Sequence, residues 1–216
     1  YALLGIAIIC GSILSLLIGL PVIIIGIIGI FLGVAYTEPP FSLKYRGLGE
    51  ITAGIIQGPL VVWGSFVVQT GMLFSLYPLF VGIINGAFTF IILLASSTLK
   101  LEPIKKVGKK NLVSVIGMNN VKYAVYLAIA IMYLSLIFSC LFNYISPIAL
   151  ISLTTLPIAI KVSIPFLEGN EENIKKKWEE LRKLWAGPFS IRIIILIIIL
   201  ISAIISKELN LLNYPI

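Results

Sequence analysis

The sequence contains no histidine and no aspartate, and its nine acidic residues are all glutamates. Without histidine there is no imidazole to serve as a general base or a metal ligand, so any metal site must be built from glutamate carboxylates. Charged residues make up only 12% of the 216 residues, whereas soluble domains carry about 25%. Cysteine is also scarce. Cys10 and Cys140 both lie inside apolar segments, so we predict packing roles for them and no disulfide.

Long apolar runs take up most of the chain. A membrane-spanning helix needs about 20 mainly apolar residues, and seven segments approach this length: 2–20, 21–35, 51–68, 72–95, 123–141, 145–160 and 190–206. Their continuity excludes strands of a membrane barrel, which alternate polar and apolar residues. The sequence therefore predicts an all-α fold, a polytopic bundle with about seven transmembrane helices in one domain over residues 1–216.

The connections between these segments alternate in charge. Three of them are basic, at about 37–50, 96–122 and 161–189, and the others contain no lysine or arginine. By the positive-inside rule the basic loops face the cytoplasm of a multi-pass protein in the cell membrane. This distribution accounts for the net charge of +7, so we predict the lipid bilayer as a partner and no nucleic acid.

The third basic loop contains a predicted amphipathic helix, "NEENIKKKWEELRKLWAGP". Ile174, Trp178, Leu181 and Trp185 follow one another at intervals of four, three and four residues, which places them on one face. Such a helix lies on the membrane surface with its tryptophans at headgroup depth. The alternative is a lid over a site that faces the membrane.

The first basic loop, "YTEPPFSLKYRGLGE", is a candidate anion site. Prolines end the preceding helix, and Gly47 and Gly49 allow tight turns before the next one. Lys44 and Arg46 therefore lie on a constrained loop, where a guanidinium can bind phosphate oxygens bidentately. The alternative is that both cations serve membrane topology alone.

The second basic loop, "KLEPIKKVGKKNLVSVIG", contains five lysines around a glycine. Basic loops at the membrane surface usually set topology or contact lipid headgroups. Taken alone, this loop favours that interpretation.

Taken in order, three stretches resemble a known family. "AYTEPPFSLKYRGLGE", "GPLVVWGSFVVQTG" and "KKVGKKNLVSVIG" are similar to the UbiA-type intramembrane prenyltransferases, especially the 1,4-dihydroxy-2-naphthoate polyprenyltransferases of menaquinone synthesis. The matching positions are Tyr36 and Thr37, Pro40, 43–50, Gly58 and Pro59, and 69–71. The resemblance covers essentially the whole chain.

The resemblance implies a fold of nine transmembrane helices around a central cavity with a cytoplasmic cap. The seven segments here would be its last seven, so we expect an N-terminally incomplete domain. The implied reaction transfers a polyprenyl group from its diphosphate to an aromatic acceptor such as 1,4-dihydroxy-2-naphthoate, in quinone or lipid biosynthesis. The implied cofactor is Mg²⁺, held by two aspartate-rich motifs.

The resemblance also assigns residues, although it assigns no catalytic residue. It implies four cations at the diphosphate: Lys44, Arg46, Lys105 and Lys109. We place three residues at the substrate cavity: Tyr36, Gln57 and Asn85. Two alternatives remain open, since Gln57 and Asn85 can instead be packing hydrogen-bonders, and Arg46 can instead pair with Glu50, four residues later.

One motif departs from the family. Two aspartates are expected just before "KKVGKKN", yet this chain reads "SSTLKLEPIKK", with Lys100 and Ile104 at those positions. Glu102 is the one carboxylate in that stretch, out of register by two, and is a weak candidate metal ligand. We therefore expect this chain to be impaired or inactive in transfer. The altered stretch fits a changed copy of an active enzyme, a loop insertion, or a non-catalytic homologue that binds isoprenoid lipid.

A membrane transporter subunit is the rival class, although transporters tend to carry ionisable residues within their spans.

Overall fold

A computed structural model describes residues 2–106, 108–167, 172, 174, 177 and 191–208. The described residues form helices and turns, with one isolated parallel bridge and no strand. The α-helices are α1 (Ala2–Ile18), α2 (Leu20–Thr37), α3 (Gly49–Ile55), α4 (Val61–Thr70), α5 (Tyr77–Leu99), α6 (Leu101–Lys106), α7 (Leu112–Ile116), α8 (Val121–Leu141), α9 (Leu156–Leu167) and α10 (Ile191–Glu208). A π-helical turn, Ile56–Leu60, joins α3 to α4, and short 3-10 helices occur at Leu43–Tyr45, Met118–Asn120 and Pro147–Thr155.

Within the described part of the chain, four helical stretches are long and apolar enough to cross a membrane: Leu20–Thr37, Gly49–Thr70, Tyr77–Leu99 and Met118–Leu141. Three more predicted spans correspond to shorter apolar helices, Gly5–Ile18, Pro147–Lys161 and Ile193–Ile205. The predicted all-α membrane fold is confirmed. A count of seven spanning helices stays a prediction.

Two boundaries differ by five residues or more from the predicted spans. Helix α9 continues to Leu167, seven residues beyond the predicted segment 145–160. Helix α5 begins at Tyr77, five residues later than the predicted segment 72–95. Gly71 ends α4 with a left-handed conformation, φ 71°. Pro78 then sits in the first turn of α5, where its missing N–H costs nothing. Apolarity alone could not separate this connection from the helix that follows it.

Helix α5 is the centre of the packing. It contacts α8 on one side and α3 with the π turn on the other. Its side chains Ile84, Phe88, Ile91 and Leu94 are fully buried. Helices α1 and α2 instead expose most of their apolar side chains, as expected of helices that face lipid or other membrane helices.

Glycines let α3 and α5 approach each other closely. Gly54 and Gly58 form one Gly-x-x-x-Gly pair, and Gly82 and Gly86 form another. A Cβ atom on Gly58 would lie 2.5 Å from both the Gly82 carbonyl oxygen and the Gly86 Cα. The backbones are therefore in contact, which is how membrane helices without large interface side chains associate.

Asn85 supports the π turn from α5. Its Nδ2 donates to the Gln57 carbonyl oxygen at 2.6 Å. In the turn, the Val61 N–H bonds to the Ile56 and Gly58 carbonyls rather than to that of Gln57, so Asn85 satisfies a carbonyl that a regular helix would have paired. Pro59 lies within the turn, and its lack of an N–H favours such an interruption.

Candidate functional site

The first two basic loops meet at one end of the bundle. Arg46 and Lys110 form a parallel bridge, and the Lys110 N–H donates to the Tyr45 carbonyl at 3.1 Å. Gly47 makes this approach possible, since its φ is 82° and a Cβ there would lie 2.4 Å from Val115 Cγ2 of α7. The tight turn predicted at this glycine is therefore present, and it seats the first loop against α7.

Tyr45 lies between cations from the two loops. The Lys109 Nζ is 3.8 Å from the centre of the Tyr45 ring, and the Lys44 Nζ is 5.6 Å from it. Lys44 Nζ is also 5.9 Å from the ring of Tyr36 on α2. Cations at such distances are attracted to the ring face, so the two tyrosines hold lysines from separate loops close together.

Glu50 is a buried carboxylate that joins the two loops. It is only 4% exposed, and it accepts a short hydrogen bond from the Ser97 hydroxyl. It also accepts from the Leu112 N–H, at 3.2 Å to Oε2 and 3.4 Å to Oε1. Because Leu112 begins α7 and Ser97 lies near the end of α5, Glu50 fixes α7 and the lysines before it relative to α3 and α5.

Asn111 completes this junction. Its side chain accepts from the Ser114 N–H at 2.8 Å in a capping box at the start of α7, and its Nδ2 donates to the Ser97 carbonyl at 2.9 Å. Sequence reasoning missed both Asn111 and Glu50 as site residues. The Asn-x-x-Ser spacing before an apolar run was a readable helix start, whereas nothing local indicates the partners of Glu50.

A small cationic pocket lies where these elements meet. It has a volume of about 140 Å³, and the lysines that line it are Lys44, Lys100, Lys109 and Lys110. The hydroxyl residues Ser96 and Ser97 and the ring of Tyr36 also line it. Four lysines that line one small volume make it a candidate site for a compact anion.

A larger, mainly apolar cavity adjoins the cationic pocket. It has a volume of about 530 Å³ and includes Ala53, Ile56, Gln57 and Ile92 in its lining. Tyr36 and Leu93 line both spaces. A ligand with an anionic head and an apolar tail therefore fits with its head among the lysines and its tail along α2, α3 and α5.

A separate apolar groove of about 480 Å³ runs between α3, α5 and α8. Its lining includes Ile83, Phe90, Leu127 and Ile131, and it does not share Tyr36 or the pocket lysines. It provides a physical alternative for an apolar tail, on the side of α3 and α5 away from the cavity that adjoins the lysines.

The predicted site residues are distributed unevenly. Lys44 and Lys109 line the cationic pocket, and Tyr36 and Gln57 line the apolar cavity. Arg46 donates from Nη2 to the Pro40 carbonyl at 2.7 Å and is absent from the lining of the pocket. The alternative pairing with Glu50 is not present among the described residues, and the role of Arg46 at the anion stays a prediction.

Three more predicted residues have simple outcomes. Asn85 bonds to Gln57 at the helix contact, as its packing alternative expects, and it lines neither space at this end of the bundle. Lys105 and Glu102 belong to α6, but their side chains lie outside the described part of the structure.

The predicted interfacial helix lies largely outside the described residues. Of its residues, Ile174 is buried, while Glu172 and Lys177 are exposed.

The donor set of the pocket does not suit Mg²⁺. Proteins hold this ion through one or two carboxylates together with waters and substrate phosphates. No group of three or more acidic, cysteine or histidine side chains comes together among the described residues. Glu50 is the carboxylate among the described lining residues, and its oxygens are bonded to Ser97 and Leu112. Lys100 and Ile104, at the positions of the expected aspartates, both line the pocket. Binding of Mg²⁺ therefore stays a prediction that these residues do not support.

Comparisons with known proteins agree with the geometry. Residues 1–187 match the UbiA prenyltransferase family. The chain is 31% identical over 135 residues to 2-carboxy-1,4-naphthoquinone phytyltransferase of Synechocystis, covering 62% of this chain and 44% of that protein. It is 32% identical over 97 residues to 1,4-dihydroxy-2-naphthoate octaprenyltransferase of Bacillus subtilis, covering 44% and 30%.

A third relative matches over a longer stretch. UbiA prenyltransferase domain-containing protein 1 of Dictyostelium discoideum is 25% identical over 171 residues, covering 79% of this chain and 51% of that protein. The chain thus spans about half or less of the length of these relatives. No solved structure gives a significant match. The match over residues 1–187 decides the assignment, and the chain belongs to the UbiA prenyltransferase family.

Proposed function

We propose that this protein binds a polyprenyl diphosphate, with the diphosphate in the cationic pocket and the prenyl tail in the adjoining apolar cavity. The observation that carries this proposal is the shared lining of the two spaces. Tyr36 and Leu93 border both the lysine pocket and the apolar cavity, so a single amphipathic molecule can occupy the two together. The small volume of the lysine pocket, about 140 Å³, suits a lipid with a compact anionic head.

The reaction that we infer for an intact copy of this site is transfer of the prenyl group to an aromatic acceptor of the naphthoate type in quinone biosynthesis. The names of the Synechocystis and Bacillus relatives support this class of acceptor. In such a transfer the bond between the allylic carbon and the diphosphate oxygen breaks, and the diphosphate leaves with the electron pair. A ring carbon of the acceptor forms the new carbon–carbon bond, then releases a proton, or CO₂ where it bears a carboxylate.

The described residues contribute to this chemistry in definite ways. The lysines neutralise the charge that grows on the leaving diphosphate, and the apolar walls at Ala53, Ile56 and Ile92 keep water from the allylic carbon. Tyr36 lines both spaces, so it lies where the head and the tail of the bound lipid would meet. We place the two basic loops on the cytoplasmic side, since both lie at one end of the bundle and cytoplasmic loops are rich in lysine and arginine.

In this chain we propose that binding is retained while transfer is impaired. Lys100 and Ile104 line the pocket where the family pattern has aspartates, and Glu50 is occupied in joining the loops. A non-catalytic homologue that binds isoprenoid diphosphates is therefore the second candidate function, and the pocket lining favours it over an active transferase.

The test compares two ligands that differ only in the head. Farnesyl diphosphate and farnesol are titrated into the purified chain in lipid nanodiscs, and binding is measured by calorimetry. We expect farnesyl diphosphate to bind at least about tenfold more tightly, since a hydrogen-bonded charge contributes about 1.5–3 kcal/mol and 1.4 kcal/mol is tenfold. Lys109→Gln should remove most of this difference. Lys122→Gln should preserve it, because Lys122 is a half-buried lysine that lines neither space. Equal binding of the two ligands would refute the proposal.

Incubation with both substrates tests the second part. The chain is mixed with farnesyl diphosphate, 1,4-dihydroxy-2-naphthoate and Mg²⁺, and the prenylated product is quantified. We expect binding without product. Product formation at a rate typical of enzymes, about 1 per second or faster, would show that transfer is intact in this chain.

A further inference from the structure

Lysines from separate parts of the chain line the cationic pocket. Lys44 comes from the first basic loop, Lys100 follows the end of α5, and Lys109 and Lys110 come from the second basic loop. These four lysines line a volume of about 140 Å³. Cationic side chains gathered at one small space attract an anion from solution.

The carboxylate at this pocket is not available to a cation from outside. Glu50 is 4% exposed and accepts from the Ser97 hydroxyl and the Leu112 N–H. A magnesium ion that took Glu50 as a ligand would leave the buried Leu112 N–H without its acceptor, which is costly. A divalent cation would also be repelled by the positive charge of the lysines that line the pocket.

From these observations we propose that the pocket binds the diphosphate group without a divalent metal, with Lys100 supplying positive charge where a metal ion would otherwise bridge protein and phosphate. The inference rests on the proposed function, because it concerns the same ligand at the same site. It adds that the charge that neutralises the diphosphate belongs to lysine side chains and not to a bound metal ion. Diphosphate binding therefore does not respond to removal of Mg²⁺.

Position 100 is suited to this role. Its backbone closes α5, with its N–H donating to the Ser97 carbonyl at 3.3 Å. Ser97 is in turn held by Glu50 and Asn111. Lys100 therefore lines the pocket from a fixed backbone position. Its ammonium is compatible with several diphosphate oxygens, since it is a point charge with three donors.

The experiment measures farnesyl diphosphate binding to the full chain in nanodiscs, with Mg²⁺ and with EDTA. We expect dissociation constants that agree within a factor of about ten, the equivalent of 1.4 kcal/mol. Binding that weakens more than tenfold in EDTA would overturn the inference while leaving the proposed function in place. Absence of binding under both conditions would overturn both.

Variants at position 100 test the assignment of the charge. Lys100→Met should weaken farnesyl diphosphate binding in EDTA by about tenfold or more, because a charge-assisted hydrogen bond is lost. Lys106→Met is the matched control, an exposed lysine of the neighbouring helix α6 that does not line the pocket, and it should bind like the unchanged chain. Equal affinities of the two variants would contradict the role of Lys100.

The exchange of charge provides an independent readout. In a chain carrying both Lys100→Asp and Ile104→Asp, two carboxylates replace one ammonium and one apolar group at the pocket. Farnesyl diphosphate binding to this variant should be weak in EDTA and recover when Mg²⁺ is added, a dependence that the unchanged chain lacks. Elution as a monodisperse peak, with tryptophan emission like that of the unchanged chain, shows that each variant is folded. If the double variant binds equally with and without Mg²⁺, position 100 does not determine how the diphosphate is neutralised.

Discussion

Replacing Glu50 by alanine should separate the two basic loops. The carboxylate accepts from the Ser97 hydroxyl and the buried Leu112 N–H, and alanine offers no acceptor to either. A buried donor left unpaired costs about 1–3 kcal/mol, and hydrogen bonds to a charged group are worth about 1.5–3 kcal/mol. Ser97 is only partly buried and can turn toward water, so we expect a total loss of about 2–4 kcal/mol. Glu50→Gln should lose less, about 1–2 kcal/mol, since one amide oxygen still accepts while the amide nitrogen opposes one donor.

The assay is equilibrium unfolding in mixed micelles with increasing dodecyl sulfate, followed by tryptophan fluorescence. Glu38→Ala is the control, since Glu38 is an exposed acid beside the first basic loop and such surface changes usually stay within about 0.5 kcal/mol. A double-mutant cycle with Ser97→Ala should give a coupling energy of about 0.5–3 kcal/mol, the range for residues in direct contact. If Glu50→Ala unfolds at the same detergent fraction as Glu38→Ala and retains its affinity for farnesyl diphosphate, the carboxylate does not hold the loops together.

Three further outcomes follow from the fold. Gly58→Ala should destabilise the bundle by about 1–3 kcal/mol through overpacking, because its Cβ would lie 2.5 Å from backbone atoms of α5, whereas Gly29→Ala meets nothing within 4 Å and should be neutral or slightly stabilising in the same unfolding assay. Asn85→Leu should cost about 1–3 kcal/mol, since the Gln57 carbonyl loses its side-chain donor in a part-buried hydrogen bond, and unchanged unfolding would show that the π turn needs no support from α5. In a chain whose native cysteines are replaced by serine, Lys109→Cys should react with an impermeant maleimide from the cytoplasmic side and Met72→Cys from the other, and labelling of both from one side would contradict the topology.

Membrane helices were largely predictable from composition because the bilayer imposes a length and an apolar character on each span. The predicted segment 123–141 lies within α8, Val121–Leu141. The start of α5 was not predictable in this way, since residues 72–76 are as apolar on average as the helix and only Gly71 and Pro78 interrupt it. The two Gly-x-x-x-Gly pairs were also readable as a close helix contact, although nothing in the sequence says which helix each one meets.

The candidate site was predictable in part. The charge of Lys44 and Lys109 and the resemblance of the flanking motifs indicated anion binding, and both side chains line the pocket. Arg46 looked equally suitable by chemistry, yet its guanidinium meets the Pro40 carbonyl six residues earlier. The role of Glu50 depends on Leu112, 62 residues later. Such a partner is set by how α3, α5 and α7 pack, which a single sequence does not specify.

Photo-crosslinking tests the placement of the lipid most directly. A farnesyl diphosphate with a diazirine at the end of its tail is bound to the chain in nanodiscs, irradiated, and the modified peptides are mapped by mass spectrometry. The account predicts adducts at residues of the cavity that adjoins the lysines, such as Ala53, Ile56 and Ile92, and their loss when unlabelled farnesyl diphosphate competes. Adducts concentrated at Leu127 and Ile131, in the separate groove beside α8, would contradict it.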